Sequence, residues 1–175
     1  MRVFRKHQER PAPLTTPEVR IWLRPSDETL DADDGSEVDV EGFDAFFDDG
    51  CTIPLLEDDE GFVADRIFHC KVAGVKRHGG ALQRPALEPG KLVYLQAEPS
   101  NSFDPNALKV AAIEGKTLLH VGYVPADLAK ALAKHASDGV PALVTKAFSR
   151  GGKRVGLRIV GAVDGVTLGF QSIEG

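Results

Sequence analysis

Alternating apolar and polar residues predict short β-strands along most of the chain after residue 65. The predicted strands cover residues 66–75, 91–98, 107–113, 118–124, 140–149 and 154–160, with a last strand at 166–173. The glycine pair at 151–152 predicts a two-residue hairpin turn, because both central residues of such a turn adopt positive φ. Residues 76–90 are rich in Gly, Pro and basic side chains and are predicted to form a loop.

One segment, residues 125–137, has helical spacing instead. Pro125 suits the first turn, Asp127 complements the positive end of the helix dipole, and Gly139 is placed to end the helix. The apolar stripe of this helix consists of Leu128, Ala129, Leu132, Ala133 and Ala136. About six short strands and one main helix predict a mainly β (α+β) fold, in which a small barrel removes exposed strand edges.

The first 62 residues follow a different pattern. Val19 to Leu23 predict a short strand between prolines, residues 27–34 predict a loop, and residues 57–61 predict a linker. Three phenylalanines lie among the acidic residues, and we expect part of this segment to pack on the domain: Phe43, Phe46 and Phe47.

These patterns suggest three parts. Residues 1–62 form an acidic N-terminal segment of uncertain order, residues 63–162 form the barrel domain, and residues 163–175 form a C-terminal strand or tail.

The formal net charge of −5 conceals a strong segregation of charge. Residues 26–65 carry sixteen Asp and Glu residues and no Lys or Arg, whereas residues 66–175 carry fifteen Lys and Arg against eight acids. An acidic block therefore precedes a basic domain, and the basic domain favours an anionic partner.

Other functional classes lack their sequence signals. No apolar run approaches the ~18 residues of a membrane span, and the N-terminus lacks the apolar core of a secretory signal. Two cysteines, Cys51 and Cys70, fit a reduced cytoplasm, and His69 beside Cys70 cannot easily share a metal because neighbouring strand residues face opposite sides. We find no phosphate-binding glycine loop and no nucleophile motif. We therefore expect a protein that is not an enzyme and that has no cofactor and no metal.

Residues 98–110, with the sequence EPSNSFDPNALKV, are the most informative segment. They connect two predicted strands and place Phe103 among short polar residues. Asn101, Asp104 and Asn106 can close the turn through side chain–backbone hydrogen bonds. An exposed aromatic residue in such a loop is also a platform on which an unpaired base can stack.

The order of these features resembles the HIRAN domain, which occurs in remodelling ATPases and alone in bacteria and phages. The resemblance rests on FHCKVAGV at 68–75, on the signature at 98–110 and on VGYVP at 121–125 before an Ala/Leu-rich helix, and it covers about residues 63–162. It implies an OB-like barrel that holds the 3′ end of single-stranded DNA, and a role in DNA repair.

The resemblance also implies individual roles. Phe103 would lie against a base and Asp104 would bind the terminal 3′-hydroxyl. Asn101 and Asn106 would shape the loop, and Tyr123 would make a second stacking or phosphate contact. Lys76, Arg77 and His78 replace an Arg-Tyr-Tyr run of eukaryotic members, which favours contacts with the phosphate backbone over a base pocket.

A second group of basic and aromatic residues could line a groove along the nucleic-acid backbone: Lys146, Phe148 and Arg150, with Lys109, Lys153 and Arg154 nearby. The sequence thus predicts a nucleic-acid-binding module for single-stranded DNA or DNA ends. A competing hypothesis is a protein-interaction or regulatory module, whose acidic N-terminal segment occupies the basic groove and imitates phosphates and bases.

Overall fold

The protein is described by a computed structural model at residues 19–31, 37–47, 52–56, 59–136 and 139–170. These residues form eleven strands: β1 (Val19–Asp31), β2 (Glu37–Phe47), β3 (Thr52–Leu56), β4 (Gly61–Ala64), β5 (Ile67–Lys71), β6 (Leu92–Ala97), β7 (Leu108–Glu114), β8 (Thr117–Tyr123), β9 (Val140–Arg150), β10 (Lys153–Ala162) and β11 (Val166–Phe170). Two short helices, α1 (Gly79–Leu82) and α2 (Ala126–Leu132), accompany 3₁₀ turns at Val75–His78, Pro85–Leu87 and Ala133–His135. No helix within the described ranges is long and apolar enough to cross a membrane. The fold is therefore mainly β, as the sequence predicts.

Seven strands form an antiparallel sheet in the order β4-β5-β10-β9-β6-β7-β8. The chain just after β5 returns to the far end of this sheet, where Ala73 N donates to Tyr123 O at 2.8 Å and Tyr123 N donates to Ala73 O at 2.9 Å. This pair is an isolated bridge that does not extend into a ladder. Strand pairing therefore brings the two ends together without closing the predicted barrel.

One hydrophobic cluster fills the concave side of this sheet. It draws side chains from all six strands β5 to β10 and from α2, and examples are Phe68, Leu95, Val110, Val121, Leu132, Val144 and Leu157. Since these strands contribute to a single core and the Ala73–Tyr123 pair brings the ends of the sheet together, the sheet curves around that core.

A second sheet, in the order β11-β1-β2-β3, covers the opposite face of β5, β10 and β9. Strand β1 pairs parallel with β11 and antiparallel with β2. Ala45 and Leu55 of this sheet pack in one cluster with Ile67, Leu143 and Val160 of the larger sheet. Phe43 packs against the same cluster, with its ring centroid 6.5 Å from that of Phe170, so part of the acidic segment does pack on the domain.

Several predicted boundaries are wrong. The strand predicted at 66–75 ends at Lys71, because Gly74 adopts φ 72° and turns the chain into the 3₁₀ turn. The predicted helix ends at Leu132 and continues as a 3₁₀ turn, in which Ala133 is exposed and does not join the buried stripe. The two-residue hairpin is confirmed, with φ of 58° at Gly151 and 74° at Gly152.

The acidic segment contains more strand structure than predicted. The loop predicted at 27–34 is strand up to Asp31, which pairs with Glu37, because backbone pairing between β1 and β2 outweighs the local acidic composition. In the linker predicted at 57–61, Asp59 accepts a hydrogen bond from Leu56 N at 2.7 Å, and Glu60 accepts one from Lys71 N at 3.2 Å. Residues 1–18 and 32–36 lie outside the described residues.

His69 lies on β5 at the seam between the two sheets, with 1% of its surface exposed. Its Nε2 is 3.2 Å from the Thr145 hydroxyl. Burial, with a further contribution from the charge of Arg158, lowers the pKa of His69 to about 4. Protonating this ring in the folded protein is therefore unfavourable.

This burial predicts a loss of stability as the pH falls from about 6.5 to about 4. The unfolded chain takes up a proton at His69 near pH 6.5, whereas the folded chain does so only near pH 4, so acid favours unfolding. The free energy of unfolding should fall by roughly 3 kcal/mol across this window. Urea unfolding of the wild type and of His69→Gln at several pH values measures the effect. An equal decrease in His69→Gln would contradict the assignment, and His135→Gln, at a partly exposed histidine, is the control.

Candidate nucleic-acid interface

The loop between β6 and β7 presents Phe103 with 94% of its surface exposed. Asn101 Oδ1 accepts hydrogen bonds from Phe103 N at 2.9 Å and from Asp104 N at 3.1 Å. Asp104 Oδ1 in turn accepts one from Asn106 N at 2.8 Å. These are the side chain–backbone bonds that the sequence predicts for Asn101 and Asp104, whereas Asn106 takes part through its backbone N–H. They hold an aromatic side chain in solvent on a loop of defined shape.

A cleft of about 550 Å³ lies beside this loop. It is lined by Arg77, Glu98, Ser100, Asn101, Ser102, Phe103, Asp104, Ala107, Tyr123, Val124 and Ala126. Five of the predicted interface residues thus meet at one site from three separate segments: Arg77, Asn101, Phe103, Asp104 and Tyr123. The other predicted residues lie outside this lining: Lys76, His78, Asn106, Lys146, Phe148 and Arg150.

Glu98 connects two sides of the cleft. Its Oε2 accepts one hydrogen bond from Asn101 Nδ2 at 2.8 Å and another from the Tyr123 hydroxyl at 3.0 Å. These bonds lower the pKa of Glu98, while burial and the hydrogen bond to Glu98 raise the pKa of Tyr123. Sequence reasoning did not select Glu98, although it begins the 98–110 signature, because its contact with Tyr123 depends on the pairing of β6, β7 and β8.

A row of aromatic rings extends from Tyr123 towards the 3₁₀ turn. The ring centroids of Tyr123 and His120 are 4.9 Å apart, and those of His120 and His78 are 4.2 Å apart. His120 Nε2 lies 3.0 Å from Gly122 O, and burial, followed by the charge of His78, lowers the pKa of His120. His78 is thus joined to the cleft through His120, which the sequence analysis did not single out. Lys76 and Arg77 are exposed on the same turn.

Phe148 lies in a second group of residues, which we call the cation–aromatic patch: Lys71, Lys146, Phe148 and Arg158. The ammonium groups of Lys71 and Lys146 lie 5.1 Å and 5.4 Å from the centroid of the Phe148 ring. Arg158 pairs with Lys71 on one side and with Lys146 on the other, so the three cationic residues form a row across β5, β10 and β9. The distances from the two ammonium groups to the Phe148 ring lie within the range of cation–π contacts.

Two residues expected near this patch have different surroundings. Arg150 is exposed at the end of β9, beside the hairpin turn. Arg154, which was expected to line the groove, donates from Nη1 to Arg84 O at 2.9 Å and lies 3.7 Å from Glu88. Its guanidinium therefore attaches the 76–90 loop to the hairpin.

The patch and the cleft are neighbours along the chain. Lys71 belongs to the patch, and Ala73, two residues later, is bonded to Tyr123 of the cleft. At a strand rise of about 3.3 Å per residue, Lys71 and Ala73 are separated by roughly 7 Å. One extended ligand of a few nucleotides could therefore contact both.

The reactive side chains His69 and Cys70 lie away from the cleft. Cys70 faces the main core, where burial raises the pKa of its thiol to about 12, whereas His69 faces the seam between the sheets. Across the described part of the chain, no group of three or more His, Cys, Asp or Glu residues is arranged to hold a metal ion.

Comparison with known proteins identifies a family for this arrangement. The family model of the HIRAN domain matches residues 66–163, which are 98 of the 175 residues. The crystal structure of the HIRAN domain of human HLTF is similar at 22% sequence identity and a TM-score of 0.41, over 56% of this chain and 76% of that one. No curated protein sequence matches the chain. The range matched by the family model contains β5 to β10, α2 and the complete cleft.

Gly122 provides a test of how the cleft is assembled. A Cβ atom at this position would lie 2.3 Å from Ala73 O and 2.8 Å from Val72 Cγ1, and its φ of +154° is unfavourable for other residues. We expect Gly122→Ala to lower the free energy of unfolding by about 1–3 kcal/mol. It should also speed hydrogen exchange at the Ala73 and Tyr123 amides. Gly80→Ala is the control, because no atom lies within 4 Å of its added Cβ. Unchanged stability and exchange in Gly122→Ala would show that the Ala73–Tyr123 pair does not need this close approach.

Proposed function

The chain belongs to the HIRAN domain family, and we propose that it binds single-stranded DNA, with a preference for the 3′ end, and acts by binding alone. In this proposal the seven-stranded sheet, which strand pairing does not close, serves as a partly open OB-like barrel. The observation that carries the proposal is the exposed Phe103 ring, held beside Asp104 in a cleft that Arg77 and Tyr123 also line.

The exposure of Phe103 favours an unpaired base as the ligand. An aromatic ring that is 94% exposed gains little from folding, yet its loop is shaped by two hydrogen bonds to Asn101. Stacking of one base on such a ring contributes about 1–3 kcal/mol and tolerates any base. A base in a duplex has both faces covered, so this contact suits a single strand or a frayed end.

The charge of the domain supports an anionic ligand. Residues 66–163 carry fifteen Lys and Arg residues and six Asp and Glu residues, a balance of +9. Arg77 lies at the cleft, and Lys71 and Lys146 lie in the cation–aromatic patch. A backbone that leaves the cleft along the Ala73–Tyr123 bridge would reach the patch, where Phe148 offers a second stacking face and Arg150 a further cation.

Asp104 supports a preference for a strand end. Its Oδ1 is fixed by the hydrogen bond from Asn106 N, so the carboxylate has a defined orientation next to Phe103. A carboxylate accepts a hydrogen bond from a terminal hydroxyl but repels a phosphate. A nucleotide stacked on Phe103 would therefore present its terminal 3′-hydroxyl to Asp104.

Binding of labelled oligonucleotides tests this proposal. In fluorescence anisotropy, the full-length chain should bind a single strand with a 3′-hydroxyl more tightly than one with a 3′-phosphate. Asp104→Ala should reduce that preference, because it removes the acceptor for the hydroxyl. Phe103→Ala should weaken binding of both strands by roughly five- to hundredfold, since about 1–3 kcal/mol of stacking is lost.

The control for Phe103→Ala is Phe62→Ala, which removes a half-exposed phenylalanine that packs against Phe68, away from the cleft. Affinity should also fall as salt rises, with a slope of about −0.7 in log K per phosphate contacted. Failure of the wild type to bind either strand at low salt would contradict the proposal.

One contact favours the competing regulatory function. Glu60, from the acidic block, forms an ion pair with Arg158 at 3.2 Å, and Arg158 lies between Lys71 and Lys146. An acidic residue therefore already occupies the middle of the cation–aromatic patch. If the acidic segment competes with nucleic acid, neutralising Glu60 should leave the charge of the buried Arg158 uncompensated, which raises the positive potential between Lys71 and Lys146.

Glu60→Gln is a better test of this competition than truncation, because removal of β1 to β3 would uncover Ile67, Leu143 and Val160. Under the regulatory function, Glu60→Gln should bind single-stranded DNA severalfold more tightly and with a steeper salt dependence. Glu88→Gln makes the same change in charge at a half-exposed residue that pairs with Arg154, outside the patch. If the two variants gain the same affinity for single-stranded DNA, the gain is due to net charge alone and the competition hypothesis is wrong.

A further inference from the structure

The lining of the cleft has an unusual charge for a nucleic-acid site. Among its described lining residues, the side chains with a formal charge are one cation, Arg77, and two carboxylates, Glu98 and Asp104, although the surrounding domain has a balance of +9. Phosphate sites are normally built from cations and N–H donors. This cleft therefore attracts a nucleic acid through the domain as a whole while presenting negative charge at the point of contact.

The proposed function gives Asp104 a contact with the ligand but gives Glu98 none. The side chains of Asn101 and Tyr123 each donate a hydrogen bond to Glu98, and Oε2 accepts both. They lower the pKa of Glu98, so the carboxylate is charged at neutral pH. Since Asn101 shapes the Phe103 loop and Tyr123 ends β8, Glu98 also fixes the spacing between the two aromatic side chains.

We propose that Glu98 determines specificity at this cleft: its charge excludes a terminal phosphate, while its hydrogen bonds to Asn101 and Tyr123 position the two walls. This inference rests on the proposed function. Asp104 would accept a hydrogen bond from the hydroxyl in addition to repelling a phosphate, whereas Glu98, whose Oε2 already accepts hydrogen bonds from Asn101 and Tyr123, would act by repulsion alone. Substitutions of the two carboxylates should therefore have separable effects on the discrimination between a 3′-hydroxyl and a 3′-phosphate end.

Glu98→Gln separates the charge from the positioning role. The amide oxygen of glutamine can still accept hydrogen bonds from Asn101 and Tyr123, but the negative charge is lost. With the full-length chain and 5′-labelled oligothymidine, affinity for the 3′-hydroxyl end should stay within about twofold of wild type. Affinity for the 3′-phosphate end should rise by about fivefold or more, so that the preference for the hydroxyl narrows.

Two further variants test whether the change in end preference is caused by the charge of Glu98. Tyr123→Phe keeps the charge of Glu98 but removes one of its hydrogen bonds, and it should weaken binding of both ends equally without changing their ratio. Glu88→Gln lowers the net negative charge by the same amount outside the cleft, and it should also leave the ratio unchanged.

The outcomes distinguish this inference from the proposed function. If wild type binds neither end, the proposed function fails and the inference fails with it. If wild type binds both ends equally, the end preference of the proposed function and the specificity role of Glu98 both fail, although single-strand binding stands. If wild type prefers the hydroxyl and Glu98→Gln keeps the wild-type ratio, only the specificity role of Glu98 is overturned. If Glu98→Gln loses affinity for both ends alike, Glu98 acts through structure alone and the exclusion of phosphate is wrong.

Discussion

The candidate interface depends on one pair of backbone hydrogen bonds, between Ala73 and Tyr123. Strand β8 is the last strand of the seven-stranded sheet, whereas the chain after β5 comes from near the opposite end. The pair joins them, and the absence of a side chain at Gly122 permits the close approach. The 3₁₀ turn that carries Arg77 begins two residues later, so the same pair brings a cation to the cleft that Tyr123 and the Phe103 loop line.

The cleft itself is ordered by polar contacts more than by apolar packing. Its most exposed side chain, Phe103, has little contact with the core, and the loop is shaped by the hydrogen bonds of Asn101, Asp104 and Glu98. Bonds of this kind contribute about 1 kcal/mol each to folding, but they limit the conformations of the free loop. A loop that is ordered before binding loses less entropy when a ligand arrives. The short side chains of the signature are thus as important to the platform as the aromatic ring.

Most of the features that the sequence predicted correctly are local. Glycines 151 and 152 specify a hairpin by their own conformation, and Asn101 closes its turn with amides two and three residues away. The features that it missed join distant residues: Glu98 with Tyr123, His78 with His120, and Lys71 with Phe148. Each of these contacts depends on how separate strands pair and on how the chain continues beyond them, which a short local pattern does not encode. The same reason explains the extension of β1 to Asp31, where pairing with β2 outweighs a composition typical of loops.

Under the proposed function, affinity for nucleic acid and selectivity between strand ends would follow from charges that act over different distances. The positive balance of residues 66–163 acts over the whole domain, and exposed charges further apart than about 8 Å are largely screened at physiological salt. Asp104 and Glu98 act within the cleft, where a terminal group would be in direct contact and screening is weaker. Rising salt should therefore reduce overall attraction for nucleic acid more than it reduces discrimination between ends. A basic domain with an acidic contact point can in this way hold a strand loosely along its length and distinguish how the strand ends.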